Sequence, residues 1–252
     1  MSIHKHRRAP KRLGCTALVM VAGLLAAACQ RIPVSTFDST HPAAFNIHYL
    51  TRSGRDTISS AAGPGRFTLS APAANTGSNT RVLIYPPAQP MAVDQMVCAT
   101  WSGQVGINTQ QGLALRVRHD TTNGGRWRAV TVMKNILWGA QWQFNVITWD
   151  TQGNYGYRRH GSIGLPQVFW PNKVLAPLPW RVCAKAEGDI VTVKAWRLNE
   201  TEPAWGDASH GGTVRLPAGW AFEGKAGWYA GHVPPGGSAA FTDLTAHRLE
   251  IR

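Results

Sequence analysis

The chain has 252 residues, with 26 Lys and Arg against 13 Asp and Glu, 44% hydrophobic residues and 11 tryptophans. Its 26 Gly and 16 Pro fall below the roughly 25–30% share of low-complexity chains, which excludes a disordered protein and leaves material for a buried core. A formal charge of +13 favours anionic neighbours: acidic glycans, anionic lipid head groups or a charged wall polymer.

Lys5, Arg7, Arg8, Lys11 and Arg12 precede an apolar run from Leu13 to Ala28, and the first acidic residue is Asp38. The 16 residues of that run are fewer than the roughly 20 of a spanning helix, and the basic start and small-residue end predict an export signal over residues 1–28. Ala26-Ala27-Ala28 leading into Cys29 resembles the lipobox of bacterial lipoproteins, although Ala26 stands where Leu is usual and Leu25 lies one place early. That resemblance implies cleavage before Cys29, acylation of Cys29, and an extracytoplasmic domain anchored to the cell membrane by lipid. An ordinary signal peptide, with Cys29 free or disulfide-bonded, is the alternative. Export removes nucleic acid as a partner. Without residues 1–28 the chain keeps 21 basic and 13 acidic residues, a net charge of +8.

Cys15 departs with the signal, which leaves Cys98 and Cys183 as a single pair in an oxidising compartment. Neither has a second ligand at CxxC or CxxH spacing, so a Cys98–Cys183 disulfide is expected.

Residues 29–65 are polar and unpatterned, with "STFDST" and "RSGRDTISSAAGPG", and are expected to be a tether with few ordered contacts. From residue 66 onward short β-prone runs alternate with turn signals. The runs are "RFTLS", "RVLIYP", "VDQMVCATW", "GLALRVR", "RWRAVTVMK", "NILWG", "QFNVITW", "PQVFW", "PWRVCAKA", "DIVTVKAW", "AGWYAG" and "AAFTDLTAHRLEI". In "GLALRVR", period-2 alternation puts Leu113, Leu115 and Val117 on one face, with Arg116 and Arg118 on the other. Glu187-Gly188-Asp189 is expected to close a hairpin. A dozen strands without helices predict an all-β fold, a two-sheet antiparallel sandwich or a barrel, over residues 66–252.

"PWRVCAKAEGDIVTVKAWRLNETEPAW" and the later "GKAGWYAGHVPPGGSAAFTDLTAHRL" resemble the closing half of concanavalin A-like (laminin-G-like) jelly-roll domains. "QQGLALRVRH" is similar to their central strand. The resemblance implies a jelly-roll sandwich and is silent on activity, since such folds host lectins, hydrolases and adhesion modules alike.

Enzymes on this fold that cut polysaccharides carry carboxylates as ExDxxE on one strand. Glycoside hydrolysis needs two of them about 5–9.5 Å apart. Glu187 and Asp189 have the spacing but flank the turn glycine Gly188, and Glu200 and Glu202 flank Thr201 at a strand end. No GxSxG or HExxH occurs, and "GWAFEGKA" lacks the hydroxyl and following helix of a phosphate loop. No cofactor is implied, except that the resemblance makes a structural calcium conceivable, with Asp243 of "FTDL" supplying one oxygen. A strand-end aspartate is the competing reading.

Aromatic residues mixed with arginine remain. Trp127, Trp138, Trp142 and Trp149 fall within 23 residues, beside Arg126, Arg128 and Lys134. Indole faces pack against the C–H faces of sugars, and nearby Arg donors hold hydroxyls or carboxylates. Six or seven of the eleven indoles are expected in the core. The favoured reading is a non-catalytic module that binds an envelope glycan or glycoconjugate. The candidate ligand contacts are Arg116, Arg118, Trp127, Trp149, Tyr229 and His232. The alternatives are an envelope polysaccharide hydrolase or lyase, and a structural or protein-docking lipoprotein.

Overall fold

Alternating apolar and polar residues pair the strand-forming runs into two antiparallel sheets. The computed structural model describes residues 31–38, 44–136, 140–154 and 156–251. Cys29 and the expected signal lie outside them. In chain order the strands are β1 (Arg31–Asp38), β2 (Asn46–Thr51), β3 (Ser59–Gly63), β4 (Arg66–Ser70), β5 (Arg81–Tyr85) and β6 (Gln95–Val105). Then come β7 (Gln110–Asp120), β8 (Arg126–Lys134), β9 (Gln143–Asp150) and β10 (Tyr157–Gly164). A one-turn helix α1 (Pro166–Phe169) precedes β11 (Trp180–Glu187), β12 (Ile190–Arg197), β13 (Gly211–Arg215), β14 (Lys225–Gly231) and β15 (Ser238–Ile251).

The first sheet runs β13-β12-β11-β6-β15-β4-β3, with β1 added along the far half of β15. The second runs β10-β9-β8-β7-β14-β5-β2. This is the concanavalin A-like jelly-roll sandwich that the closing motifs imply. Between the sheets, Leu113, Leu115, Val130, Val132 and Phe144 meet Val97, Ala99, Trp101, Trp180 and Phe241. A buried side chain of this size stabilises by about 1.5–3 kcal/mol, so this layer holds the sheets together. Two polar ties cross it. Trp228 Nε1 donates to the Cys98 carbonyl at 3.2 Å, and Gln111 Nε2 to the carbonyls of Gly103 and Ala240 at 3.0 and 2.9 Å.

Cys98 and Cys183 stand opposite one another on β6 and β11 and form the expected disulfide. The expected hairpin also forms: Glu187 pairs with Ile190, and Gly188 at φ +56° takes the left-handed backbone of a tight hairpin turn.

Three expectations are corrected. The stretch expected to be a tether forms β1, β2 and β3. Phe37 and Phe45 pack edge-on against Trp228 at 5.4 and 5.9 Å, so burial of these rings orders what the polar composition suggested was loose. "PQVFW", expected as a strand, is α1, because Pro166 suits the first helical position and Val168 and Phe169 still reach the core. The alternation of "GLALRVR" breaks at Arg116, which sits at φ +55° in a bulge where the β7–β8 register shifts. Leu113 and Leu115 stay between the sheets, but Val117 turns to the outer face of the second sheet beside Ala114 and Ala129.

Candidate functional site

The outer face of the second sheet is covered by side chains rather than left open. Leu83, Ala114, Val117, Ala129, Met133 and Ile147 form a buried apolar layer under Trp149 and Tyr229. Tyr229 is fully buried. Its hydroxyl donates to Gln110 Oε1 at 2.8 Å, and burial pushes its pKa far up, so it stays a neutral phenol. Gly112 on neighbouring β7 makes room for it: a Cβ there would lie 3.0 Å from the Tyr229 ring and 2.8 Å from the Val132 carbonyl. Trp149 Nε1 donates to Thr131 Oγ1 at 2.8 Å, with Tyr157 at 5.2 Å and Tyr229 at 6.2 Å between ring centres.

On this aromatic floor lies a cavity of about 470 Å³. Trp149, Met133 and Ile147 line its base, and Arg81, Arg159, His232, Gln110 and Asn145 supply polar groups. Arg81 Nη2 is 2.7 Å from His232 Nε2, and Arg81 Nη1 donates to Thr51 Oγ1 at 3.1 Å. Arginine has only donors, so Nε2 accepts and the imidazole proton resides on Nδ1. Burial, then the adjoining guanidinium, draws the His232 pKa down to about 4. Arg159 is exposed and makes no hydrogen bond or ion pair among the described residues. Asn145 Oδ1 accepts from Ser162 Oγ at 2.6 Å, which leaves its amide N–H groups for the cavity.

Among the described residues that line it, none carries a carboxylate. The carboxylates with catalytic-looking spacing are engaged elsewhere: Glu187 with Lys185, Asp189 with Arg215, Glu200 with Arg197 and Glu202 with Lys194. Its described lining therefore offers donors for hydroxyls and anions and an apolar floor, and it includes no acid–base pair of carboxylates.

The candidate residues separate. Trp149 and His232 line the cavity, and Tyr229 lies in the layer beneath it. Trp127 is on the same face, but its indole is stacked parallel to His48 at 3.6 Å and to His119 at 4.4 Å. Two parallel rings cannot share one face at those separations, so both faces are occupied and neither is free for a sugar. Arg116 is corrected outright. It is fully buried and donates to the carbonyls of Val93, Trp220 and Gly188, tying the second sheet to the first at one end of the sandwich. Arg118 does not line the cavity either: it pairs with Arg128, which stacks on Trp220 and Phe222 at 4.5 and 4.0 Å. Asp243 is an exposed residue at φ +51° on β15, and its carboxylate accepts from Thr242 Oγ1 at 3.0 Å. Among the described residues no group of three or more His, Cys, Asp or Glu gathers to hold a metal.

Sequence reasoning missed Arg81 and Arg159. Arg81 opens "RVLIYP", and Arg159 belongs to "YRRHG", whose paired arginines were the available signal.

The two sheets define a concanavalin A-like jelly-roll sandwich. No protein-family profile and no curated protein matches the chain. Among solved structures it is similar to a Bacillus subtilis protein of unknown function with a galectin-like fold. The TM-score is 0.51 at 10% identity, over 88% of this chain and 100% of that one. The Ca²⁺-bound exoplasmic/lumenal domain of VIP36 gives 0.49 at 7% identity, over 86% and 91% of the two chains. A legume lectin-like domain from Entamoeba histolytica gives 0.48 at 8%, over 86% and 98%. Likeness at such identities is one of fold alone.

Proposed function

We propose that this protein is a non-catalytic glycan-binding module, held outside the cytoplasm at the cell membrane by lipid on Cys29. The cavity on the outer face of the second sheet carries the reading. It joins an aromatic floor to two arginines, a neutral imidazole and side-chain amides, with no carboxylate among the described lining residues. The exposed Arg159 receives a carboxylate or sulfate, a sugar hydroxyl meets the Asn145 amide, and C–H groups of the sugar meet the small part of Trp149, 3% exposed, that reaches the cavity. The net charge of +8 beyond residue 28 suits an acidic glycan or anionic polymer.

A glycan array probed with the purified protein tests the binding. Enrichment of acidic glycans is expected, and hydrolysis of a hit during the assay would revive the hydrolase. The anchor is tested apart from this: Cys29→Ser should leave the precursor uncleaved and without lipid.

A further inference from the structure

Two buried lysines in the sandwich are treated differently. Lys194, 5% exposed, meets the Glu202 carboxylate at 2.6 Å and the Pro203 carbonyl at 2.9 Å. Lys134, 1% exposed, ends β8 with its side chain between the sheets. Its ammonium donates to Gln104 Oε1 and lies 5.7 Å from the Trp180 ring centre, and it makes no ion pair among the described residues. An ammonium has three N–H donors, and a buried cation met by one neutral acceptor is left largely uncompensated. Burial accordingly draws the Lys134 pKa down to about 8.

Lys134 also lines a cavity of about 390 Å³ at the end of the sandwich. Gln104 and Ser102 join it on the polar side, and Leu175, Leu178 and Trp180 form an apolar wall. The neighbouring amide of Gln141 is already committed to the Ile107 carbonyl at 3.0 Å. Beside this wall, Trp101 (6.3 Å from Trp180, centre to centre) buries an indole N–H that has no partner among the described residues. The cavity is distinct from the one on the outer face, since successive residues Met133 and Lys134 of β8 point to opposite sides of the sheet.

We propose that this end cavity is a second binding site, for a small organic monocarboxylate whose anion seats on Lys134 and whose apolar body lies against Leu175, Leu178 and Trp180. The described lining holds one cation and no second basic residue, which selects a single negative charge over a phosphate dianion. The apolar wall selects a hydrocarbon or aromatic body over a small inorganic anion.

Calorimetric titration of the purified protein with benzoate, its neutral isostere benzamide, and inorganic phosphate tests this. Benzoate should bind once per chain, with benzamide and phosphate at least tenfold weaker. Binding requires the ammonium, so above pH 8 benzoate affinity should fall about tenfold per pH unit. Near pH 8.5 binding should take up a proton, seen as heat that depends on the buffer. Lys134→Met should weaken benzoate at least tenfold. No benzoate binding, equal binding of benzamide, an affinity flat to pH 9.5, or a Lys134→Met variant that retains benzoate would each overturn the proposal. The pH series uses only the unaltered chain, so it stands even if the variant fails to fold.

Discussion

Arg81 donates to Nε2 of His232 across 2.7 Å, joining β5 to the loop after β14 and fixing the imidazole as its Nδ1–H tautomer. The pair places a permanent cation and a neutral ring in one wall of the cavity, so the charge there does not change across physiological pH.

A stability consequence follows from that pair and from His48. Burial lowers both imidazoles to a pKa of about 4, against about 6.5 when unfolded. Between those values the unfolded chain binds protons that the folded chain refuses, so stability is full above pH 6.5 and is lost as pH falls toward 4. Melting temperature measured from pH 7.5 to 4 should decline in that window. Either His48→Gln or His232→Gln should flatten the decline, and an unchanged slope in both variants would contradict the assignment.

Arg116→Ala should be a stability variant and not a binding variant. It removes a buried guanidinium and strands the carbonyls of Val93, Trp220 and Gly188 at the junction of the sheets. Loss of about 3–5 kcal/mol is expected in denaturant unfolding. Affinity for a glycan hit, measured under conditions where the variant is folded, should stay within twofold.

Arg159→Ala should do the reverse. The side chain is exposed and makes no internal bond, so the melt should be unchanged. Affinity for an acidic glycan should drop roughly ten- to a hundredfold, the worth of a charged hydrogen bond. Calorimetry beside a thermal melt on one preparation separates this from the Arg116 pattern.

Trp149→Phe should weaken glycan binding while keeping most of the buried area. The cost to stability should be about 1 kcal/mol, for the lost bond to Thr131. A variant that binds as tightly as the parent would remove the indole from the site.

The Cys98–Cys183 bridge spans 85 residues of sequence, and closing so long a loop is worth about 4 kcal/mol by chain-entropy reasoning. The denatured, unreduced protein should label no thiol at these positions, and the Cys98→Ala, Cys183→Ala double variant should unfold at lower denaturant by a corresponding amount.

The fold was legible because its central strands are apolar and β-branched over most of their length: "RWRAVTVMK", "QFNVITW" and "DIVTVKAW" each became a strand. The edges were not, for stated physical reasons. β10 exposes most of its residues, and its Gly161 must be small because Val214 lies 2.9 Å from where a Cβ would stand. Gly211 of β13 approaches the Val193 carbonyl too closely for any side chain. Such glycines look like turns in a sequence and act as contact points in a sheet. The site was half legible. Trp149 and His232 could be chosen by residue type, but Arg116 was misplaced because a bulge with a positive φ leaves no mark in an alternation pattern. The enclosure of Trp127 by two histidines depends on strands that are remote in sequence.

β1 begins at Arg31, directly after Gln30, and its start pairs with Ile251 at the end of β15. An acylated Cys29 would lie only two residues away, a reach of roughly 7 Å. On so short a link, the rim formed by the start of β6 and the end of β15 would rest among the lipid head groups. The outer-face cavity draws on the opposite rim, where β7 begins at Gln110 and β8 ends. The nine residues of β8 span roughly 30 Å at about 3.4 Å per residue. The binding mouth would thus be held one strand-length above the bilayer, and the protein would sample polymer at that fixed height instead of sweeping a volume.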